Sequence, residues 1–245
     1  MKLKFDCHIH SEKSFDGILS LKSILKKSKN MHLDAVAICD HDIANTEASE
    51  GDVLIVPGVE LSTVYGHILG LFIEKEPYGE TDLDKIKSIS ESGGIAVLAH
   101  PFECCKTDEK FREIIPYIFG LEIFNARADR KNHKANSMAE RLNDKLNLPS
   151  FAGSDSHIKD EIGLTYMVVD AVEKTVASLK EAILDNRITA IYGKDAIYAY
   201  TARSQWTRYR KRDKGVLNKF RWALFSLKCL LTDVVHIKKT YYKEF

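Results

Sequence analysis

Apolar and polar positions alternate in two ways along the first 200 residues, as short apolar runs and as stretches with helical spacing. The apolar runs predict strands at residues 3–9, 34–39, 53–59, 67–73, 95–99, 120–124, 150–153 and 188–192. Helical spacing predicts helices at residues 21–29, 81–92, 108–117, 132–146 and 175–186. Thr81 is suited to cap the second helix, with Asp84 three residues later. This alternation is typical of parallel βαβ units, and about seven strands favour a barrel over an open sheet.

The charge is divided unevenly between this part of the chain and the rest. From Arg203 onward there are 12 Lys and Arg against 3 Asp and Glu, a net charge of +9. Because the whole chain carries +1, residues 1–202 carry −8. We therefore predict a separate basic extension over residues 202–245, following a domain at 1–201.

The extension interleaves aromatic and cationic residues at 205–212 and continues into an amphipathic pattern. One interpretation is binding of RNA through phosphate contacts and base stacking, and another is docking on an anionic membrane surface. The third is a helical extension packed on the barrel or on a second subunit. We favour the third for residues 222–231 and leave the cationic cluster at 208–212 open.

The cysteines and the first residues indicate the compartment. Five cysteines without a CxxC spacing argue against a disulfide framework and for a reducing environment. The start of the chain lacks the apolar core of a secretory signal, and no apolar window reaches the roughly 20 residues of a membrane span. We expect a cytoplasmic protein without a transmembrane segment.

Potential metal ligands follow the predicted strands. His8 and His10 are two residues apart, so on a strand both imidazoles point to the same side. Six of the nine histidines lie at predicted strand ends: His8, His10, His41, His67, His100 and His157. The other three are His32, His133 and His236. In a barrel, the carboxyl ends of parallel strands gather at one face, so these side chains are expected to converge.

Each of these residues alone has an ordinary explanation, such as a solvated turn or a buried histidine. Burying so many imidazoles beside carboxylates is costly unless cations are bound. Asp16, Glu60 and Asp155 bring the set to nine ligands, too many for one tetrahedral ion. Nine ligands suit two or three ions that share a bridging carboxylate.

Seven short motifs in this order resemble the PHP (polymerase and histidinol phosphatase) domain family. They are Asp6-x-His8-x-His10, Ser14-Phe15-Asp16-Gly17, Asp40-His41-Asp42, Gly58-Val59-Glu60, His67-Ile68-Leu69-Gly70, Ala99-His100-Pro101 and Gly153-Ser154-Asp155-Ser156-His157. The resemblance covers about residues 1–160, with the barrel expected to close near residue 200. It implies an α/β fold, a distorted TIM-like (β/α)7 barrel, with three divalent ions (Mn, Fe or Zn).

The resemblance also implies a role for each ligand. His8, His10 and Asp155 would hold the first ion, and Glu60 would bridge it to a second ion completed by His67 and His100. Asp16, His41 and His157 would hold the third. Asp6 would orient a histidine, and a water bound to the ions would be the catalytic group.

The sequence departs from the family pattern after two strands. Phe102-Glu103-Cys104-Cys105-Lys106 follows the Ala-His-Pro motif, where nucleotide- and RNA-cleaving members often have an arginine. After residues 121–124, Asn125-Ala126-Arg127 stands where some members have another histidine. We predict that Arg127, Arg130 and Lys106 bind substrate phosphate, with Arg127 preferred for its bidentate guanidinium. The alternative is that they are solvated loop charges.

Three functions are compatible with these features. The leading hypothesis is hydrolysis of phosphoesters, either phosphomonoesters, nucleotides or short oligonucleotide 5′ ends. A second is a non-catalytic or regulatory metal-binding module whose tail binds nucleic acid or an anionic membrane. A third is an amidohydrolase-type metal barrel, which usually has a bridging lysine. No lysine lies at a predicted strand end, and Glu60 takes that place.

Overall fold

The computed structural model describes the whole chain except Glu47 and residues 213–214 and 236–237, and only the backbone of 207–212. Its ten strands are Lys2–Ile9 (β1), Ala35–Ile38 (β2), Leu54–Thr63 (β3), Gly66–Leu71 (β4), Ile95–Leu98 (β5), Gly120–Asn125 (β6), Ser150–Gly153 (β7), Thr165–Asp170 (β8), Ile188–Lys194 (β9) and Thr240–Glu244 (β10). The helices are Leu21–Asn30 (α1), Asp82–Glu91 (α2), Ala135–Leu146 (α3), Val176–Leu184 (α4), Tyr198–Arg212 (α5) and Val216–Val235 (α6).

All ten strands form one sheet in the order β10-β9-β8-β1-β2-β3-β4-β5-β6-β7. The strands β1, β2 and β3 are parallel, as are β5, β6 and β7, whereas β4 is antiparallel to both of its neighbours. The sheet curls until β7 approaches β1, where the His10 amide donates to the Ser156 carbonyl at 2.9 Å. The result is an α/β half-barrel.

This half-barrel differs from a regular (β/α)7 barrel between β3 and β5. Only Val64 and Tyr65 separate β3 from β4, and so short a link can join antiparallel strands but not parallel ones. Gly66 follows with φ of 122°, a conformation that glycine adopts without steric cost. The expectation of uniform βα units therefore does not hold in this part of the sheet.

The local signals in the sequence account for most of the helices. The Thr81 side chain accepts from the Asp84 amide, and the Asp84 carboxylate accepts from the Thr81 amide, forming the capping box of α2. The helix predicted at 108–117 is replaced by two 3-10 turns, Glu109–Phe111 and Ile115–Tyr117. Pro116 lacks the amide hydrogen that a continuous helix would use there.

The core lies between the curled sheet and the helices that cover it. Phe5, Ile68 and Leu98 from three different strands are fully buried, together with Phe111 and Phe151. These side chains belong to one hydrophobic cluster. Polar residues follow the carboxyl ends of the parallel strands.

The C-terminal extension returns to the sheet. The Trp206 and Trp222 rings lie 4.4 Å apart between α5 and α6, and the Trp222 indole donates to the Ala202 carbonyl at 2.9 Å. After α6 the chain forms β10, which pairs with β9. The extension expected to be helical therefore ends in a strand, which the sequence pattern did not predict. Within the described residues, none of the helices has the length and apolar character of a membrane span.

Candidate metal centre

His8 and His10 form the base of the candidate centre. Both lie at the end of β1 and are fully buried, and their Nε2 atoms are 3.1 Å apart. The backbone pleat turns alternate residues to the same side of the sheet, so the two rings face the same space. Asp155, after β7, places Oδ1 3.3 Å from His10 Nε2 and 3.9 Å from His8 Nε2.

Glu60, near the middle of β3, contacts five imidazoles. Its Oε2 lies 3.4 Å from His8 Nε2, 3.2 Å from His10 Nε2 and 3.1 Å from His41 Nδ1. Its Oε1 lies 2.8 Å from His67 Nδ1 and 3.0 Å from His100 Nε2. A single carboxylate thus connects five rings from four separate segments.

The third group of ligands surrounds Asp16. Asp16 Oδ2 is 3.1 Å from His157 Nε2 and 3.7 Å from His41 Nε2. Ser14 donates to the other carboxylate oxygen of Asp16 at 2.9 Å. The structure therefore brings together all nine residues that the sequence motifs singled out.

Two of these residues have unusual backbone conformations. Asp155 has φ of 53° and His100 has φ of 24°, in or near the left-handed region that non-glycine residues seldom adopt. Such strain persists where the surrounding structure holds it, and it concentrates at functional sites.

The positions of the ligand atoms suit the binding of divalent cations better than hydrogen bonding between the ligands. His41 Nδ1, His67 Nδ1 and Glu60 Oε2 are buried without a hydrogen-bond partner in the described residues. Yet His41 Nδ1 lies 3.1 Å from Glu60 Oε2, and His67 Nδ1 lies 2.8 Å from Glu60 Oε1. Two ligands bound at about 2.1 Å and separated by 90–109° lie about 3.0–3.4 Å apart. Four of the five spacings at Glu60 and the one between His8 and His10 fall within this range, and the His67 spacing of 2.8 Å lies just below it. Among the described residues, four sets of three or four ligands each have their ligand atoms within 4.8 Å of one another.

The same crowding shifts the protonation of the ligands. Burial lowers the pKa of His41 to about 4, so its ring is neutral and has a free lone pair at pH 7. Burial opposes charge on His10 as well, but the adjacent carboxylates of Asp155 and Glu60 raise its pKa to about 9. The pKa values of Glu60 and Asp155 lie well below their usual range despite burial, because several imidazoles surround each carboxylate. Both carboxylates are therefore ionised at pH 7, and a cation that binds here must displace the proton of His10.

Glu122 in β6 was not predicted, and it orients a ligand. Its Oε1 lies 3.3 Å from His8 Nδ1, while its Oε2 accepts from the His100 amide at 2.8 Å and from Asn125 Nδ2 at 3.0 Å. A carboxylate on the far ring nitrogen directs Nε2 towards the ions. The sequence did contain a signal for Glu122, a charged residue within an apolar strand, because a buried charge needs polar partners.

Asp6 differs from the expectation. Its carboxylate accepts from backbone amides, at 2.9 Å from Ser154 and more weakly from His8 and Gly163. Burial raises the pKa of Asp6 to about 7. Asp6 thus supports the loop before Asp155, and the contact with a histidine ring is made by Glu122.

Arg127 and Arg130 lie beside the ligands. Both guanidinium groups bind the buried carboxylate of Glu161, Arg127 Nη1 at 3.0 Å from Oε2 and Arg130 Nη2 at 3.0 Å from Oε1. Glu161 also accepts from the His157 amide at 2.8 Å, which connects the arginines to a ligand loop. The two arginines line a cavity of about 210 Å³ together with all of the nine ligands except His8 and His10.

Lys106 does not line this cavity and is exposed. The cation that lines the cavity beside the two arginines is Lys131, whose Nζ lies 3.1 Å from Glu103. Proximity in sequence to His100 suggested Lys106, but of residues 102–106 only Glu103 lines the cavity. The side chains of the cationic cluster at 208–212 lie outside the described residues, as does His236.

Fold and site together define a class: an α/β half-barrel with a cluster of metal-type histidine and carboxylate ligands. A family model described as PHP-associated matches residues 133–188. An uncharacterized protein of Methanocaldococcus jannaschii, MJ0417, is 31% identical over 176 residues, covering 67% of this chain and 70% of that protein. The chain belongs to the PHP family, and hence to a family of hydrolytic enzymes.

Other relatives share smaller parts of the chain. A 5′-3′ exoribonuclease of Haemophilus influenzae is 31% identical over 108 residues, which is 40% of this chain and 39% of that enzyme. The fold resembles a two-domain protein of Bacteroides vulgatus described as containing a predicted PHP-like metal-dependent phosphoesterase. That likeness has a TM-score of 0.65 and 19% identity and covers 79% of this chain and 65% of that one.

The fold also resembles the lesion-specific endonuclease PfuEndoQ of Pyrococcus furiosus. Here the TM-score is 0.59 and the identity 15%, with 78% of this chain and 58% of that one covered. Likeness at this level of identity describes the fold alone.

Proposed function

We propose that the protein hydrolyses phosphoesters with the help of bound divalent ions, acting on a phosphomonoester, a nucleotide or a short oligonucleotide 5′ end. One observation carries this proposal: a cluster of metal-type ligands and two arginines line the same small cavity. Metal ions and guanidinium groups both bind phosphate oxygens, and an uncharged substrate would not require both.

In this proposal three ions, Mn, Fe or Zn, bind per chain. His8, His10 and Asp155 hold the first, Glu60 bridges to a second held by His67 and His100, and Asp16, His41 and His157 hold the third. The distances around Glu60 and around Asp16 support this division. Such ions neutralise phosphate oxygens and make water more acidic.

The protein's own residues have defined parts in this function. Glu122 holds the His8 ring in the tautomer that leaves Nε2 free. Arg127 is the preferred phosphate ligand, because Glu161 and Ser204 hold its guanidinium at the edge of the cavity. Burial of His8, His10 and Glu60 excludes water from the ligand side of the site.

The size of the cavity indicates how the substrate would lie. A volume of about 210 Å³ suits a phosphate group, whereas sites for larger ligands usually have about 300–1,000 Å³. A second groove of about 860 Å³ adjoins it and shares Arg130, Lys131, Thr201 and Gln205 with the cavity. Tyr198, Trp222 and Phe225 line this groove, with Arg221 and Lys228 among its cations. We propose that it accepts the base and sugar of a nucleotide, since aromatic side chains stack on bases.

This arrangement gives the two predicted segments different tasks. Residues 1–201 would carry the metal ions, and residues 202–245 would supply one wall of the groove. Gln205 and Trp222, both in the extension, line the space beside the site. The named exoribonuclease relative supports a nucleotide or RNA end as the substrate.

The test combines elemental analysis with a phosphatase screen. The purified chain should hold at least two metal ions and release phosphate, with Mn²⁺ present, from nucleotides, nucleoside 3′,5′-bisphosphates or 5′-phosphorylated RNA. Glu60→Gln should lose both metal and activity. His32→Asn is the matched control, since His32 is exposed and has φ of 56°, which asparagine tolerates. Fewer than two ions per chain, or no phosphate release from any substrate, would overturn the proposal.

A second experiment tests the phosphate ligand. Arg127→Ala should raise KM far more than it lowers the metal content, because Arg127 contacts Glu161 and Ser204 and is not itself a ligand. Arg203→Ala, which removes an exposed arginine paired with Asp160, is the control. Unchanged kinetics in Arg127→Ala would remove this residue from the site.

A further inference from the structure

Helix α6 exposes an apolar face that no other described element covers. Its six large side chains are 53–84% exposed. They are Leu217, Phe220, Leu224, Leu227, Leu231 and Val234, which we call the outward face. At 3.6 residues per turn they fall within about 100° of the helix circumference. So large a contiguous apolar surface is uncommon unless it contacts something.

The opposite side of the helix fixes its orientation. Trp222 packs on Trp206, and Cys229 is buried. The Asp233 carboxylate accepts from the amides of Tyr198 and Ala199 at 2.7 and 2.8 Å, capping the start of α5. These contacts hold α6 on α5 and leave the outward face pointing away from the half-barrel.

Among the described charged residues of α6, only cations border the outward face. Lys219 lies on one side of it, and Arg221 and Lys228 lie on the other. None of the three has an ion pair within the described residues. Asp233 is the one acidic residue of α6, and it lies on the inward side. The extension carries a net charge of +9, against −8 for the rest of the chain.

We propose that the outward face of α6 docks the protein on an anionic membrane surface, with the helix lying in the plane of the interface. Apolar side chains flanked by lysine and arginine are what such a surface binds, through burial below the headgroups and attraction to anionic lipids. The acidic remainder of the chain would be repelled, which orients the metal centre away from the bilayer.

A second copy of the chain is the less suitable occupant. Two outward faces packed together would bring the bordering cations of one copy against those of the other, whether the helices ran parallel or antiparallel. No acidic residue on this face would compensate for that repulsion. Charge complementarity therefore favours an anionic surface.

The test is flotation of the full-length protein with vesicles. We expect binding to vesicles of phosphatidylcholine and phosphatidylglycerol in equal parts, weaker binding to phosphatidylcholine alone, and release as salt is raised. Leu227→Glu and Leu231→Glu should each weaken partitioning by about tenfold or more, since each removes one leucine that the bilayer would bury. Val172→Glu is the matched control, because Val172 is 76% exposed outside the helix.

Each other outcome overturns the proposal. These are absence of binding to the anionic vesicles, equal binding to both vesicle types, and unchanged binding by the Leu227 and Leu231 variants. A dimer in solution that Leu227→Glu dissociates would assign the face to a second copy. Metal content and phosphate release are read separately, so a failure of membrane docking leaves the proposed hydrolysis untouched.

Discussion

Glu122→Gln is the sharpest test of how the metal centre is held. Glu122 receives three donors: His8 Nδ1 at Oε1, and the His100 amide and Asn125 Nδ2 at Oε2. Glutamine has the same shape but only one acceptor oxygen. If that oxygen keeps the two donors at Oε2, the amide NH₂ group faces His8 Nδ1.

The consequence follows from the tautomer of His8. A donor at this position favours the imidazole with its proton on Nε2, and that proton blocks the nitrogen that faces the ions. Loss of such a supporting contact costs about 10- to 100-fold in metal affinity. This corresponds to about 1.4–2.7 kcal/mol of binding free energy.

The assay is competition with a chelator of known affinity, at fixed pH and salt, for wild type and variant. Nitrogen chemical shifts of the His8 ring report the tautomer directly. Glu103→Gln is the control, because it removes one negative charge from the cavity while its nearest ring atom, His100 Nδ1, is 3.8 Å away. Equal metal affinity in Glu122→Gln and wild type, with an unchanged His8 tautomer, would refute the reasoning.

Three further changes have defined outcomes. Glu161→Ala leaves two buried arginines without their carboxylate and should lower the free energy of unfolding in urea by about 3–5 kcal/mol. Asp160→Ala, at the exposed neighbouring pair, should cost less than about 1 kcal/mol, and equal losses would contradict this account. Gly153→Ala would place a methyl group 2.4 Å from His8 Cβ, so it should reduce bound metal and stability. Gly51→Ala, whose nearest neighbour would be 3.9 Å away, should change neither. Finally, a chelator should lower the midpoint of thermal unfolding and added Mn²⁺ should restore it, because ions that bind only the folded chain stabilise it. A midpoint that the chelator leaves unchanged would argue against a bound metal.

The centre was predictable because its ligands follow local rules. His8 and His10 share a side of β1 by strand pleat alone. His100, Asp155 and His157 follow apolar runs that predict strands. The carboxyl ends of parallel strands lie at one face, which brings such residues together. The cap of α2 was also visible, since Thr81 and Asp84 interact within one turn. These features depend on neighbours a few residues apart or on a topology that the alternating pattern implies.

Other features depended on contacts between distant segments. The two-residue link at Val64 makes β4 antiparallel, and β10 pairs with β9 more than 40 residues away in sequence. Glu122 reaches His8 across 114 positions, and Lys131 rather than Lys106 lines the cavity. A hydrophobic pattern cannot assign such partners, because it records which face is buried and not what lies opposite.

The sequence by itself thus determined the class of fold, the nine candidate ligands and the basic extension, because each can be recognised from the spacing, order or composition of residues. Only the tertiary structure decided which carboxylate orients a histidine, which cations reach the cavity and which face of α6 is left uncovered. Burial and hydrogen bonding between remote residues set these, and they exist only once the chain has folded.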